Sequence, residues 1–136
     1  MPELSQFSLD NLESCHPDLI RVFVRVAEIT NIRITDGHRS KLEQQKAYDS
    51  CHSKMQWPDS GHNKTPSIAI DVAPYPIDWD DKRRFYYLAG MVKAVAEEMG
   101  IKIRFGGDWS GDGIFKDQKF DDLVHYELDP LYYRDA

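Results

Sequence analysis

The spacing of hydrophobic positions changes period several times along the chain, and each change marks an element. After Ser14 to Asp18, with Pro17 near the first turn, Leu19, Ile20, Phe23, Val24, Val26 and Ala27 form a broad apolar stripe that predicts a helix packed on the core. Residues 31–35, NIRIT, then alternate over a short strand. The run SKLEQQKAYDSC opens with Ser40 and Glu43 at capping-box spacing and predicts a second helix. From His52 to Pro66 the chain is rich in Ser, Pro, Gly, Asn and Lys, so this segment, His62 included, reads as a loop. Period two returns at Ser67, with Ile68, Ile70 and Val72 on one face and Ala69, Asp71 and Ala73 on the other. Asp80 to Met99 predicts the longest helix, with Leu88, Met91, Val92 and Val95 at helical spacing and Gly100 as its stop. IKIRF alternates as a strand, GGDWSGDGIFKDQKFDD is a long Gly/Asp loop, and LVHYEL is the last strand.

In that last strand Val124, Tyr126 and Leu128 fall on one side, and Leu123, His125 and Glu127 on the other. Asp71 and His125 can therefore share the less apolar face of one sheet, with His62 reaching in from its loop. The expected fold is α+β: a small, mainly antiparallel sheet with helices on one face and chemistry on the other. At 136 residues the chain suits a single domain spanning 1–136.

Charge and composition narrow the classes of partner. A formal net charge of -6 speaks against nucleic-acid binding, which draws its affinity from clustered Lys and Arg; Lys82, Arg83 and Arg84 read as the solvated face of a helix. The first residues lack the basic start and apolar core of a signal peptide, and no window approaches the roughly 18 apolar residues that span a bilayer. A soluble chain made in the cytoplasm, without membrane insertion, is the expectation. Cys15 and Cys51 are too few for a disulfide scaffold and read as free thiols, and Cys51-His52 is a poor match to structural zinc spacing. Asp108, Asp112 and Asp117 lack the regular ligand spacing of an EF-hand and read as a solvated loop rather than a calcium site.

Two imidazoles and a carboxylate, His62, Asp71 and His125, match a zinc site with three protein ligands and an open fourth position, the arrangement of a catalytic centre. Zinc in such a site acidifies water and polarises a carbonyl, which suits amide hydrolysis. Taken alone the triple is a weak signal in a chain with five histidines: His62 also reads as an exposed loop histidine and His125 as a satisfied strand histidine. Asp71 is hardest to dismiss, since a carboxylate between buried strand residues needs a partner or a metal. Trp109 and Tyr75 can line a substrate groove, although aromatics beside Gly and Pro are more often packing anchors.

The segments SGHNKTPSIAIDVAPYP and HYEL resemble the zinc DD- and LD-peptidases that cut peptidoglycan, the family of D-alanyl-D-alanine carboxypeptidases and VanX-like dipeptidases. More closely, the order DGHRS, SGH, AIDVAPYPIDW, IKIRFGGDW and VHYEL, between Asn31 and Leu128, resembles the short L-alanyl-D-glutamate peptidases that serve as phage endolysins. That resemblance implies His62, Asp71 and His125 as zinc ligands, Asp122 as the acid/base carboxylate and Arg39 as the cation that polarises the scissile carbonyl and stabilises the oxyanion. It implies a monomer acting on the stem peptide of bacterial peptidoglycan, reaching the wall after another agent opens the membrane. The His62–Asp71 segment is longer than the common H-x6-D spacing and carries Pro66 where many relatives have glycine. Asp121 and Glu127 are rival carboxylates for the role of base. The nearest alternative activities are removal of terminal D-alanine, as carboxypeptidase or dipeptidase, and a non-catalytic zinc-containing binding module of the same fold, as in the hedgehog signalling domain.

Overall fold

The alternating segments pair into one sheet. The computed structural model describes residues 3–111, 113 and 122–133. Among them are four strands, β1 (Ile32–Asp36), β2 (Ala69–Pro74), β3 (Ile103–Phe105) and β4 (His125–Leu128), and four helices, α1 (Gln6–Glu13), α2 (Pro17–Ile29), α3 (Lys41–Asp49) and α4 (Lys82–Met99). The spatial order is β1-β2-β4-β3, antiparallel at every joint. The architecture is the expected α+β class.

Period two decides which face each residue takes. Ile70 and Val72 of β2 and Tyr126 and Leu128 of β4 enter a core closed by Leu19, Val22, Phe23 and Val26 of α2 and Leu88, Val92 and Ala96 of α4. Phe23 meets the Tyr126 ring edge-on at 5.4 Å. Helix α4 stops where Gly100 takes the left-handed conformation at φ 71°. Of the helices, α2 and α4 cover this face, whereas α3 stands against the residues of the other one. Its N-terminus carries the full capping box between Ser40 and Glu43.

Helix α1 was not expected from the sequence, and its cause is tertiary. Its apolar stripe is weak, but Ser8 Oγ accepts the Ile34 amide at 3.0 Å and Asn11 Nδ2 donates to the Ile34 carbonyl at 3.0 Å. These two side chains occupy backbone groups that β1, as an edge strand, turns away from β2. Gly37 lies where the same helix comes closest: a Cβ there would sit 2.3 Å from the Asn11 carbonyl oxygen. Its close approach requires glycine.

The two thiols lie in opposite environments. Burial pushes the Cys15 thiol up to about 12, while Cys51 is exposed. A thiol reagent is therefore expected to modify one cysteine in the folded protein and both in denaturant. Labelling of the native Cys51→Ser variant at the wild-type rate would contradict this placement.

Candidate metal and catalytic site

Asp71 lies in the middle of β2, opposite His125 in the register of β4, and both side chains are buried on the face away from the core. One carboxylate oxygen, Oδ1, stands 3.3 Å from His62 Nε2 and 3.3 Å from His125 Nδ1. The other, Oδ2, is 3.3 Å from Arg39 Nη2. One ligand atom from each of His62, Asp71 and His125 lies within 4.8 Å of the others, close enough to converge on a single ion.

The surrounding hydrogen bonds select the ring nitrogens. His62 enters from a 3-10 turn, Gly61–Asn63, whose amides are capped by Ser60 Oγ. Its Nδ1 donates to the Gly37 carbonyl at 2.6 Å, which turns Nε2 toward Asp71. That Nε2 is buried and has no hydrogen-bond partner. His125 uses the opposite atoms: Nδ1 faces Asp71, and Nε2 bonds Glu127 Oε1 at 2.7 Å. Glu127 is held in turn by Arg104 Nη2 at 2.7 Å. A carboxylate behind a histidine is the usual support of a metal ligand, since it fixes the tautomer and the ring plane. An orphaned nitrogen, a second imidazole nitrogen and a carboxylate facing one point are a donor set that fits zinc.

Electrostatics follow from burial and pairing. Burial alone would raise the Asp71 carboxyl, but His62 and His125 outweigh it and hold the group well below the usual carboxylate range. Burial alone would lower His125, yet its hydrogen bonds to Asp71 and Glu127 push it up to about 10. Glu127, despite burial, is brought down to about 2 by its bonds to His125 and Arg104. The two carboxylates thus create a buried place that favours positive charge.

Arg39 and Asp122 flank this group. Arg39 is buried; its Nε bonds Asp36, Nη1 reaches Gln44 Oε1 at 3.4 Å, and its backbone amide donates to the His62 carbonyl at 2.7 Å. Asp36 reaches it because β1 bulges between Ile34 and Asp36, which sets Asp36 opposite Asp71. Asp122 shares a cleft of about 510 Å³ with Arg39, Asp71, Asp36 and Trp79. Its carboxyl is raised, first by burial and then by the nearby charge of Asp71.

Residues 2–129 match the family described as phage L-alanyl-D-glutamate peptidase. The chain belongs to that family. Over 112 residues it is 30% identical to the L-alanyl-D-glutamate peptidase of Escherichia phage T5, covering 79% of this chain and 81% of that one. The fold is similar to the crystal structure of the L-Ala D-Glu endopeptidase ChiX of Serratia marcescens, with a TM-score of 0.76 and 25% identity over 96% of this chain and 93% of that one.

For this member of the phage L-alanyl-D-glutamate peptidase family, the structure brings His62, Asp71, His125, Arg39 and Asp122 together. Glu127 lies behind His125, on the ring nitrogen that faces away from Asp71. Asp121, Asp112 and Asp117 lie outside the described residues. Asp108 accepts the Gly113 amide at 2.8 Å and so braces its own turn. Trp109 stands beside the site, its ring 5.5 Å from that of His125. Tyr75 is not brought to it: its amide donates to Asn31 at the end of β2, and its ring lines a separate depression with Arg83, Arg84 and Tyr87. Trp79, Glu43 and His52 also line the cleft, where Glu43 was expected only as a helix cap and His52 only as a poor zinc match, and Asp36, whose spacing to Arg39 was a usable signal, pairs with Arg39.

Gly106 ties the loop to the site. Its carbonyl accepts the Asp122 amide at 2.9 Å, its amide donates to His125 at 2.8 Å, and a Cβ would fall 2.1 Å from the Asp122 carbonyl oxygen. Gly106→Ala must therefore displace the Asp122 backbone, and a displacement on the order of 1 Å can cost about 10²-fold in rate. We expect a kcat loss of that order in a folded protein. Wild-type kcat would mean that Asp122 does not depend on this contact.

Proposed function

We propose that the protein is a phage endolysin that hydrolyses the amide between L-alanine and D-glutamate in the stem peptide of bacterial peptidoglycan, with zinc as its metal. The observation that carries this reading is the buried His62, Asp71 and His125 group lying beside Arg39 and Asp122 in a member of this peptidase family. His62 Nε2, His125 Nδ1 and a carboxylate oxygen of Asp71 are the atoms that would hold the metal. Zinc bound there supplies a Lewis acid and water made acidic enough to act near neutral pH.

The protein's own residues do the rest. Arg39, fixed by Asp36 and Gln44, places a guanidinium where negative charge develops on the scissile carbonyl oxygen, and it needs no reorganisation to do so. Asp122 takes a proton from the attacking water and returns it to the leaving amine of D-glutamate; its raised affinity for protons suits the second half of that exchange. A binding module would need neither group. The chain works as a monomeric single domain, 1–136, made in the host cytoplasm and acting on the wall once the membrane has been opened. Among the described residues no helix is long and apolar enough to cross a membrane.

The test is mass spectrometry of peptides released from purified Gram-negative peptidoglycan by the zinc-loaded protein, with His125→Ala beside it. New D-glutamate amino termini that vanish in the variant are expected. Release of terminal D-alanine alone would move the protein to the carboxypeptidase branch, and no metal-dependent product would leave a binding module.

A further inference from the structure

The cleft has an aromatic wall that neither the metal site nor the proton transfer uses. Trp79 is 60% exposed, although it lines the same cleft as Arg39, Asp71 and Asp122. It is not loose. One face of the indole stacks on Phe85, buried in the first turn of α4, at 5.7 Å and 21°. The loop that carries it is fastened by Arg84 Nη1 donating to the Pro76 carbonyl at 2.6 Å and by Asp78 accepting the Asp80 amide at 3.0 Å. A packing tryptophan buries both faces, but this one buries one face and leaves the other open. The same cleft is lined by Glu43 and Ala47 of α3, with His52 just beyond that helix.

We infer that Trp79 is a specificity-determining residue that stacks on the amino sugar next to the scissile peptide, so that the enzyme reads glycan-linked stem peptide rather than peptide alone. The inference rests on the proposed L-alanyl-D-glutamate cleavage. In peptidoglycan the L-alanine nitrogen is joined directly to the lactyl group of the muramyl sugar. L-alanine and the lactyl group each span about 3.5 Å when extended, so a scissile bond held at Asp71 and Asp122 puts the sugar about 7 Å away, within reach of the same cleft. A pyranose presents a flat C–H face that matches an open indole face, whose π cloud is negative. The stem beyond D-glutamate is flexible and charged and offers no such surface. Glu43 and His52 supply polar groups for the hydroxyls at the ring's edge, in a cleft whose 510 Å³ suits a ligand larger than a dipeptide.

The experiment compares two substrates with the same stem tripeptide, one attached to its disaccharide and one free, using the full zinc-loaded chain as wild type, Trp79→Ala and Trp79→Phe. Trp79→Ala is expected to raise KM for the disaccharide-linked substrate about tenfold, the worth of one aromatic contact, with kcat nearly kept. KM for the free peptide should not move, and Trp79→Phe should recover most of the loss. The disaccharide carrying L-alanine alone, a product, should inhibit the wild type competitively and the alanine variant about tenfold less well. Equal losses on both substrates would assign Trp79 to the peptide and overturn the inference, as would no loss on either. A wild-type protein that cleaves neither substrate at this bond would instead remove the proposed activity, and this inference with it.

Discussion

Replacing Asp122 by alanine is expected to lower kcat by about 10²- to 10⁴-fold, the range of a positioned general acid and base, while the protein still takes up one metal ion per chain. The separation of the two effects follows from geometry. Asp122 lines the cleft but is not among the three residues whose ligand atoms converge, so its loss removes a proton carrier and leaves the donor set intact. Glu127→Gln provides the contrast. Glu127 bonds His125 Nε2, so its loss should weaken metal affinity by about 10- to 100-fold and leave much of kcat at saturating metal. Metal content by atomic spectroscopy and kcat at saturating zinc decide between them. A Glu127→Gln enzyme without turnover beside an active Asp122→Ala enzyme would reverse the assignment.

How much of this was legible in the chain depends on what places each residue. Strand alternation requires Asp71 and His125 to lie opposite the core residues Ile70 and Tyr126, so their shared face could be read from period two alone. His62 was legible only as a loop residue; its aim depends on the Gly37 carbonyl, which the sequence does not bring near. The same alternation is no guide to Tyr75. Parity puts it on the face of Asp71, but β2 ends at Pro74, and four residues of strand carry Tyr75 about 13 Å beyond the site. Trp79, after the strand has ended, turns back to the cleft because Phe85 offers it a stacking surface. No local period records that contact. Helix α1 and the bulge before Asp36 are likewise products of the sheet's edge: the helix forms where Ile34 needs hydrogen-bond partners, and the bulge re-aims Asp36 toward Arg39.

Removing the metal is expected to abolish turnover, and its effect on stability should depend on pH in a direction the hydrogen bonds dictate. In the metal-free protein, His125 is raised from 6.5 to about 10 by Asp71 and Glu127, so its protonated ring bridges the two carboxylates through neutral pH. That stabilisation is complete below about 6.5, where the unfolded chain binds the same proton, and is lost as pH rises through about 10. Metal binding requires a neutral Nδ1 and must expel this proton. At fixed free zinc, the gain in Tm on adding metal should therefore grow from pH 6.5 toward higher pH, with about one proton released per ion bound near pH 7.5. On the acid side the metal-free protein should lose stability as pH falls from 4.5 through about 2, because Glu127 carries its stabilising charge only while ionised. Melting curves and calorimetry in buffers of different ionisation enthalpy measure both effects. A metal-induced Tm gain that stays flat between pH 6.5 and 8.5, with no proton release, would mean that His125 does not exchange its proton for the metal, and the His62, Asp71 and His125 ligand set would then have to be abandoned.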